Sequence, residues 1–178
     1  MACDVTNPLT GPNGAAHIYG PQKGATPKIV EQLDAGLAHL AKLVPALDSQ
    51  PGCGAAGGLG GGAVAFLGAT LHRGIDLVLD AVRFDERVKQ CDLCLTGEGK
   101  LDGQSLSGKA IMGVTARAKA VGVATVALVG CAGEDADKAI EAGLQAYHMI
   151  GEGLPPEESM RRAGELIEQT TQRVLASV

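Results

Sequence analysis

Residues 91–130 read CDLCLTGEGKLDGQSLSGKAIMGVTARAKAVGVATVALVG, and the order of patterns within them decides the fold. CDLCLT (91–96) is strand-like, and SGKAIMGVTARAKAV (107–121) is helical, with Ile111, Val114 and Ala118 on one side. VATVALVG (123–130) is a continuous apolar, β-branched run, as a parallel strand buried on both faces requires. Beyond it the pattern repeats: a short helix over 135–142, a strand over 146–150 and a last helix over 156–176. Glu157 and Glu158 suit that helix's first turn, and Met160, Ala163, Ile167, Val174 and Val178 form its expected apolar stripe. Strands alternating with helices imply right-handed crossovers and a parallel sheet. The C-terminal half is therefore expected to be α/β of the doubly wound type.

The preceding half is written differently. ACDV (2–5) reads as a strand with Asp4 at its carboxyl end, and TNPLTGPNGAAHIYGPQKGAT (6–26) reads as one long loop, a length that usually marks function. Thr26-Pro27 predicts a helix N-cap with proline at the first helical position. Ile29, Val30, Leu33, Leu37, Leu40, Val44 and Leu47 then keep the spacing of an amphipathic helix that frays near Pro45. His39 on that helix has no motif around it and reads as structural. Residues 52–69 contain Gly58-x-Gly60-x-x-Ala63, which formally fits a dinucleotide fingerprint, but LDSQPG (47–52) is a poor strand to precede it. The better reading is a helix whose small residues let another backbone approach. A helical stretch from Ile75 to about Lys89 closes this half.

Composition narrows the classes of function. The 178 residues include 26 Gly, no Trp, two Tyr and two Phe, so packing rests on aliphatic side chains and close backbone approach. A net charge of −5, without a basic run or aromatic residues for stacking, offers nucleic acid no footprint. No apolar run reaches membrane-spanning length and Met1-Ala-Cys-Asp is no secretory signal, so a cytoplasmic protein is expected. Five cysteines, scattered among apolar residues, argue against a disulfide framework. Cys91-x-x-Cys94 lacks a second pair, and buried thiols are its plainer reading.

Ligands of open parallel sheets bind beyond the carboxyl ends of the strands. Three turns qualify: residues 4–7, 97–107 and 130–134. The middle one is richest, with carboxylates Glu98 and Asp102, hydroxyls Ser105 and Ser107, and Lys109 in the first turn of a helix, whose N-terminus favours an anion. Carboxylates there would repel phosphate unless a divalent cation such as Mg²⁺ lies between them. Gly103-x-x-x-x-Gly108-Lys109 matches a P-loop until Ala110, where a Mg²⁺-binding hydroxyl is needed; the strand is also expected to end near Thr96, too early for that motif. Two readings stay open: Ser105 or Ser107 capping a helix beside solvated charges, or a phosphate or metal site of another kind.

Three blocks, ACDVTNPLTGPNGAAHIYGPQKGA (2–25), PGCGAAGGLGGGAVAFLGA (51–69) and CLTGEGKLDGQSLSGKA (94–110), together resemble the bacterial type I glycerate kinases. The resemblance runs from end to end of the chain and covers the C-terminal half of such an enzyme. It implies transfer of the ATP γ-phosphate, with Mg²⁺, to D-glycerate, giving 2-phosphoglycerate, with 3-phosphoglycerate as the alternative product. It also implies two α/β lobes flanking a cleft and incomplete here, with residues 1–90 part of the substrate-side domain and 91–178 the C-terminal part of the Rossmann-like domain.

By that resemblance Asp4 orients or deprotonates the glycerate hydroxyl, and Asn7 and Lys23 hold the substrate carboxylate or the transferring phosphate. Glu98 and Asp102 bind Mg²⁺, while Ser105, Gly108 and Lys109 contact phosphate or substrate. The chain by itself is expected to be inactive for want of half the cleft. The alternative is an inactive α/β piece that binds nucleotide or anion, or that dimerises or aggregates through an uncovered interdomain surface.

Overall fold

The computed structural model describes residues 1–103, 105 and 110–176, which divide into two compact units, Met1–Gly74 and Ile75–Val178. In chain order the elements are α1 (Ala15–Tyr19), α2 (Pro27–Leu43), α3 (Leu59–Leu67), α4 (Gly74–Ala81), α5 (Phe84–Val88), β1 (Leu93–Leu101), α6 (Ala110–Ala120), β2 (Ala124–Ala132), α7 (Lys138–Glu141), β3 (Ala146–Met149), α8 (Pro156–Arg161) and α9 (Ala163–Leu175).

The second unit holds a parallel sheet in the order β1-β2-β3. Its central strand is buried on both sides, as its unbroken apolar run predicts. Ala127 and Val129 meet Leu101, Ile111, Ala136, Ala139 and Leu144 on one face, whereas Val126 and Leu128 meet Val174 of α9 on the other. Successive side chains of a strand point to opposite faces, so neighbouring residues serve different helices. Helices on both faces make this the doubly wound arrangement.

Several boundaries differ from the sequence expectation. β1 does not end near Thr96 but continues to Leu101, because Gly97, Glu98, Lys100 and Leu101 find partners in Leu128, Val129, Cys131 and Ala132. Pairing supplied by β2 overrides the weak strand propensity of Gly-Glu-Gly-Lys. The expected helix from Ile75 to Lys89 is two helices, parted at Arg83, which takes a left-handed φ of 53°. The last helix is likewise interrupted at Arg162 (φ −102°, ψ 13°). That break shifts the phase of α9, so Leu166, Thr170 and Val174 face inward while Ile167 is 45% exposed; Met160, on α8 before the break, is 71% exposed. Arg162 spans the break, donating to Glu158 at 3.2 Å and to Glu165 at 2.9 and 3.0 Å.

In the first unit Thr26 caps α2, its side chain accepting the Ile29 N–H at 3.4 Å with Pro27 at the first helical position. Leu9, Leu47 and Cys53 form a core that Leu37, Ala41, Val44 and Ala65 flank. The rest of the predicted α2 stripe is only partly used: Ile29, Leu33 and Leu40 stay exposed. The glycine-rich stretch packs as expected, by backbone approach. A Cβ on Gly61 would overlap the Leu47 carbonyl oxygen, and one on Gly54 the Pro8 carbonyl oxygen. ACDV forms no strand; Ala2 makes a single parallel bridge to His72. Residues 6–26 are not one loop either, since α1 and a 3-10 turn over Pro21–Lys23 lie within them.

Candidate functional site

The chain presents two clusters of candidate residues, one in each unit. In the first unit the segment after Asn7 is held from several directions. Leu9, 1% exposed, plugs it into the core. Its N–H and the Thr10 hydroxyl donate to the two oxygens of Asp48 at 2.7 and 3.1 Å. The Gly11 N–H donates to Asp34 of α2 at 2.9 Å, and His17 approaches the other Asp34 oxygen at 3.9 Å. Asn7 itself donates to the Asn13 carbonyl at 2.9 Å and accepts from the Tyr19 hydroxyl at 2.7 Å.

Of the predicted residues here, Asp4 is exposed and accepts the Gly74 N–H at 2.7 Å. Lys23 is exposed on its 3-10 turn and lines a cavity of about 460 Å³ walled by Ala16, Gly20, Ile29, Leu33 and Leu37. The structure thus draws Asn7 into a hydrogen-bonded loop and leaves Asp4 and Lys23 at the surface of the unit. Tyr19, Asp34 and Asp48, which shape this loop, carry no sequence signal. An aspartate that caps distant backbone reads like any helix or turn residue until the chain is folded.

In the second unit the predicted carboxylates converge. Glu98 lies within β1, on the face it shares with Thr96 and buried Cys94. Asp102 follows the strand. Ser105 joins them: its hydroxyl donates to Glu98 Oε1 at 2.9 Å and accepts the Asp102 N–H at 3.3 Å. The Ser105 N–H reaches the Asp102 carbonyl at 2.9 Å and Oδ1 at 3.4 Å. Lys100 Nζ stands 3.3 Å from Asp102 Oδ2.

The turn after β2 closes against the same place. Gly133 donates its N–H to the Leu101 carbonyl at 2.8 Å. A Cβ on Gly133 would press on Asp102 and one on Gly103 on Asp135, at 3.1 and 3.2 Å. Asp135 in turn pairs with Lys138 at 2.6 Å. Gly108, Lys109 and Ser107 lie outside the described residues.

One reading of this stretch changes. Strand placement no longer argues against a P-loop, because β1 runs to Leu101 with only Asp102 between it and Gly103. The missing hydroxyl at Ala110 still does, and the hydroxyl of Ser105 is committed to Glu98. Among the described residues no three His, Cys, Asp or Glu side chains gather to hold a metal. Two carboxylates fastened to one serine nevertheless suit Mg²⁺, which takes one or two protein carboxylates and completes its shell with water and phosphate oxygens.

Comparison with known proteins decides the family. The description "Glycerate kinase family" matches residues 1–178, the full chain. The chain belongs to the glycerate kinase family. A glycerate kinase of Halalkalibacterium halodurans is 42% identical over 180 residues, covering 98% of this chain and 47% of that protein. A glycerate 2-kinase of Escherichia coli K12 is 36% identical over 184 residues, covering 100% of this chain and 48% of that protein. A crystal structure of a protein assigned as glycerate kinase 2 from Salmonella typhimurium LT2 superposes with a TM-score of 0.77 at 38% identity, over 99% of this chain and 47% of that one. The chain therefore spans about half the length of the curated relatives it matches. No helix among its described residues is long and apolar enough to cross a membrane.

Proposed function

We propose that this chain supplies the C-terminal half of an ATP-dependent glycerate kinase, forming 2-phosphoglycerate and ADP from D-glycerate in the cytoplasm, where ATP is available. The observation that carries the reading is the junction of Glu98, Asp102 and Ser105 at the carboxyl end of β1, in a chain matched throughout by the family. The name of the Escherichia coli relative, glycerate 2-kinase, supports the 2-phosphate product.

In this reading residues 1–90 belong to the substrate-side domain and 91–178 to the Rossmann-like domain. The glycerate hydroxyl oxygen attacks the γ-phosphorus as the bond to the ADP oxygen breaks, and the hydroxyl proton passes to a carboxylate oxygen of Asp4. Phosphoryl transfer depends on positioning and charge neutralisation more than on covalent help. Asn7, fixed by Tyr19 and Asn13, and Lys23 orient the substrate carboxylate or the moving phosphoryl group. Glu98 and Asp102 hold the Mg²⁺ that accompanies ATP, and Gly108 and Lys109 meet the phosphates. When bound, Mg²⁺ offsets the charge that builds on the phosphate oxygens.

The test is a coupled assay of ADP release with ATP, Mg²⁺ and D-glycerate, with the product identified by ³¹P NMR. It is run on the chain alone and on the chain mixed with the portion of a relative that it does not match. Turnover is expected in the mixture and not with the chain alone. Turnover in neither form overturns the proposal, and 3-phosphoglycerate as product overturns its regiochemistry.

A second reading has its own support. Leu59, Phe66 and Leu67 are 62%, 65% and 81% exposed at positions of α3 spaced to share one helix face, and contiguous exposed apolar surface marks an interaction site. Without the remaining portion of the enzyme, the chain is expected to dimerise or aggregate. A monodisperse monomer in light scattering at high concentration counts against it.

A further inference from the structure

Ser105 has no exposure to solvent, and both its hydroxyl and its N–H are engaged by the turn and strand beside it. A hydroxyl has one proton to give and two lone pairs. The proton serves Glu98 Oε1 at 2.9 Å, with the Lys100 carbonyl as a second acceptor at 3.2 Å, and a lone pair takes the Asp102 N–H at 3.3 Å. The Ser105 N–H adds a contact to Asp102 Oδ1 at 3.4 Å, while Lys100 Nζ addresses Oδ2 at 3.3 Å. Two carboxylates that would repel one another are thus tied to one neutral donor between them. A phosphate oxygen could accept from this buried hydroxyl only by displacing its bond to Glu98, and an unmatched buried polar atom is costly.

Resting on the kinase reading above, we infer that Ser105 is a positioning residue for the two carboxylates and makes no contact with nucleotide. Its hydroxyl sets the rotamer of Glu98, and its N–H, together with Lys100, sets that of Asp102. Both carboxylates are thereby presented to the cation in one fixed arrangement. This differs from the phosphate contact that the sequence suggests for the same residue.

The test compares Ser105→Ala, Ser105→Cys and Ser105→Thr in whichever form, chain alone or mixture, turns glycerate over. Three quantities are read: Mn²⁺ binding in the presence of ADP by water-proton relaxation, kcat and KM for ATP, and the melting temperature. Loss of a partner that orients a metal ligand typically costs about 10–100-fold in affinity or activity. Ser105→Ala is expected to lose that much in both Mn²⁺ affinity and kcat, with KM for ATP changed by no more than about twofold. Ser105→Cys, a weaker donor, should fall between, and Ser105→Thr should recover part of the loss.

Wild-type Mn²⁺ affinity and kcat in Ser105→Ala overturn the proposal. So does a raised KM for ATP with Mn²⁺ affinity intact, the signature of a direct nucleotide contact. If Ser105→Ala melts below the assay temperature, the same criteria apply to Ser105→Cys. Glu98→Gln and Asp102→Asn separate the two levels. If they also leave kcat and Mn²⁺ binding unchanged, the site reading fails; if they abolish both while Ser105→Ala does not, only the positioning role fails. Turnover in neither form removes the kinase reading and this proposal with it.

Discussion

The Tyr19 hydroxyl donates to Oδ1 of Asn7 at 2.7 Å, and Asn7 passes that orientation on by donating its amide to the Asn13 carbonyl at 2.9 Å. Tyr19 therefore decides which way a proposed substrate-binding amide points. Removing only the hydroxyl, Tyr19→Phe, forfeits one hydrogen bond worth about 1 kcal/mol. KM for glycerate is expected to rise by roughly fivefold, with a smaller change in kcat, in steady-state assays of the active form. An unchanged KM would detach Asn7 from the substrate.

Charge removal at the second cluster should act on turnover instead. Glu98→Gln and Asp102→Asn preserve shape while deleting a carboxylate, and each is expected to lower kcat by about 100-fold or more, the scale on which lost charge stabilisation acts. Raising Mg²⁺ should restore part of the rate if these groups hold the cation. Kinetics at several Mg²⁺ concentrations check both halves of that statement.

Two adjacent glycines of α3 make opposite predictions. A Cβ at Gly61 would overlap the Leu47 carbonyl oxygen, whereas one at Gly62 meets nothing within 4 Å. Gly61→Ala should destabilise by about 1–3 kcal/mol, as overpacking does. Gly62→Ala should stabilise by about 0.5–1 kcal/mol, because alanine loses less backbone freedom in a helix. Urea denaturation of the two variants side by side tests the close approach directly.

The thiols should separate by accessibility. Burial raises Cys94 above the ordinary thiol value of 9.0 and outweighs the opposing influence of the neighbouring Thr125 hydroxyl. Cys91 and Cys131 are exposed. A disulfide reagent should modify Cys91 and Cys131 rapidly, and Cys94 and buried Cys53 only on unfolding. The raised group favours the folded state fully below the unfolded thiol value, and that contribution is lost as pH rises through the folded one. Stability measured by urea unfolding should therefore decline above about pH 9, and less so in Cys94→Ala.

Much of this architecture is legible in local pattern. The run from Val123 to Gly130 announces a strand buried on two faces. Thr26-Pro27 announces a helix start, and the small residues of 52–69 announce close packing. Each rests on a property of neighbouring residues: side-chain shape, cap chemistry or absence of a Cβ. The family resemblance, too, is carried by contiguous blocks.

The sequence by itself determined the alternation of strand and helix, the capped start of α2 and the residue types gathered after Leu93. Only tertiary structure decided that Gly97 to Leu101 are strand, that the inward stripe of α9 is Leu166, Thr170 and Val174, and that Ser105 is buried between Glu98 and Asp102. The reason is the same in each case. A strand exists when a partner some thirty residues away supplies its hydrogen bonds, a helix face is inward only relative to the sheet it meets, and a serine's role depends on which acceptors the fold brings to it. The residues leading into the P-loop-like motif are, once folded, the end of a longer strand, and Ser105 beyond it binds both Glu98 and Asp102.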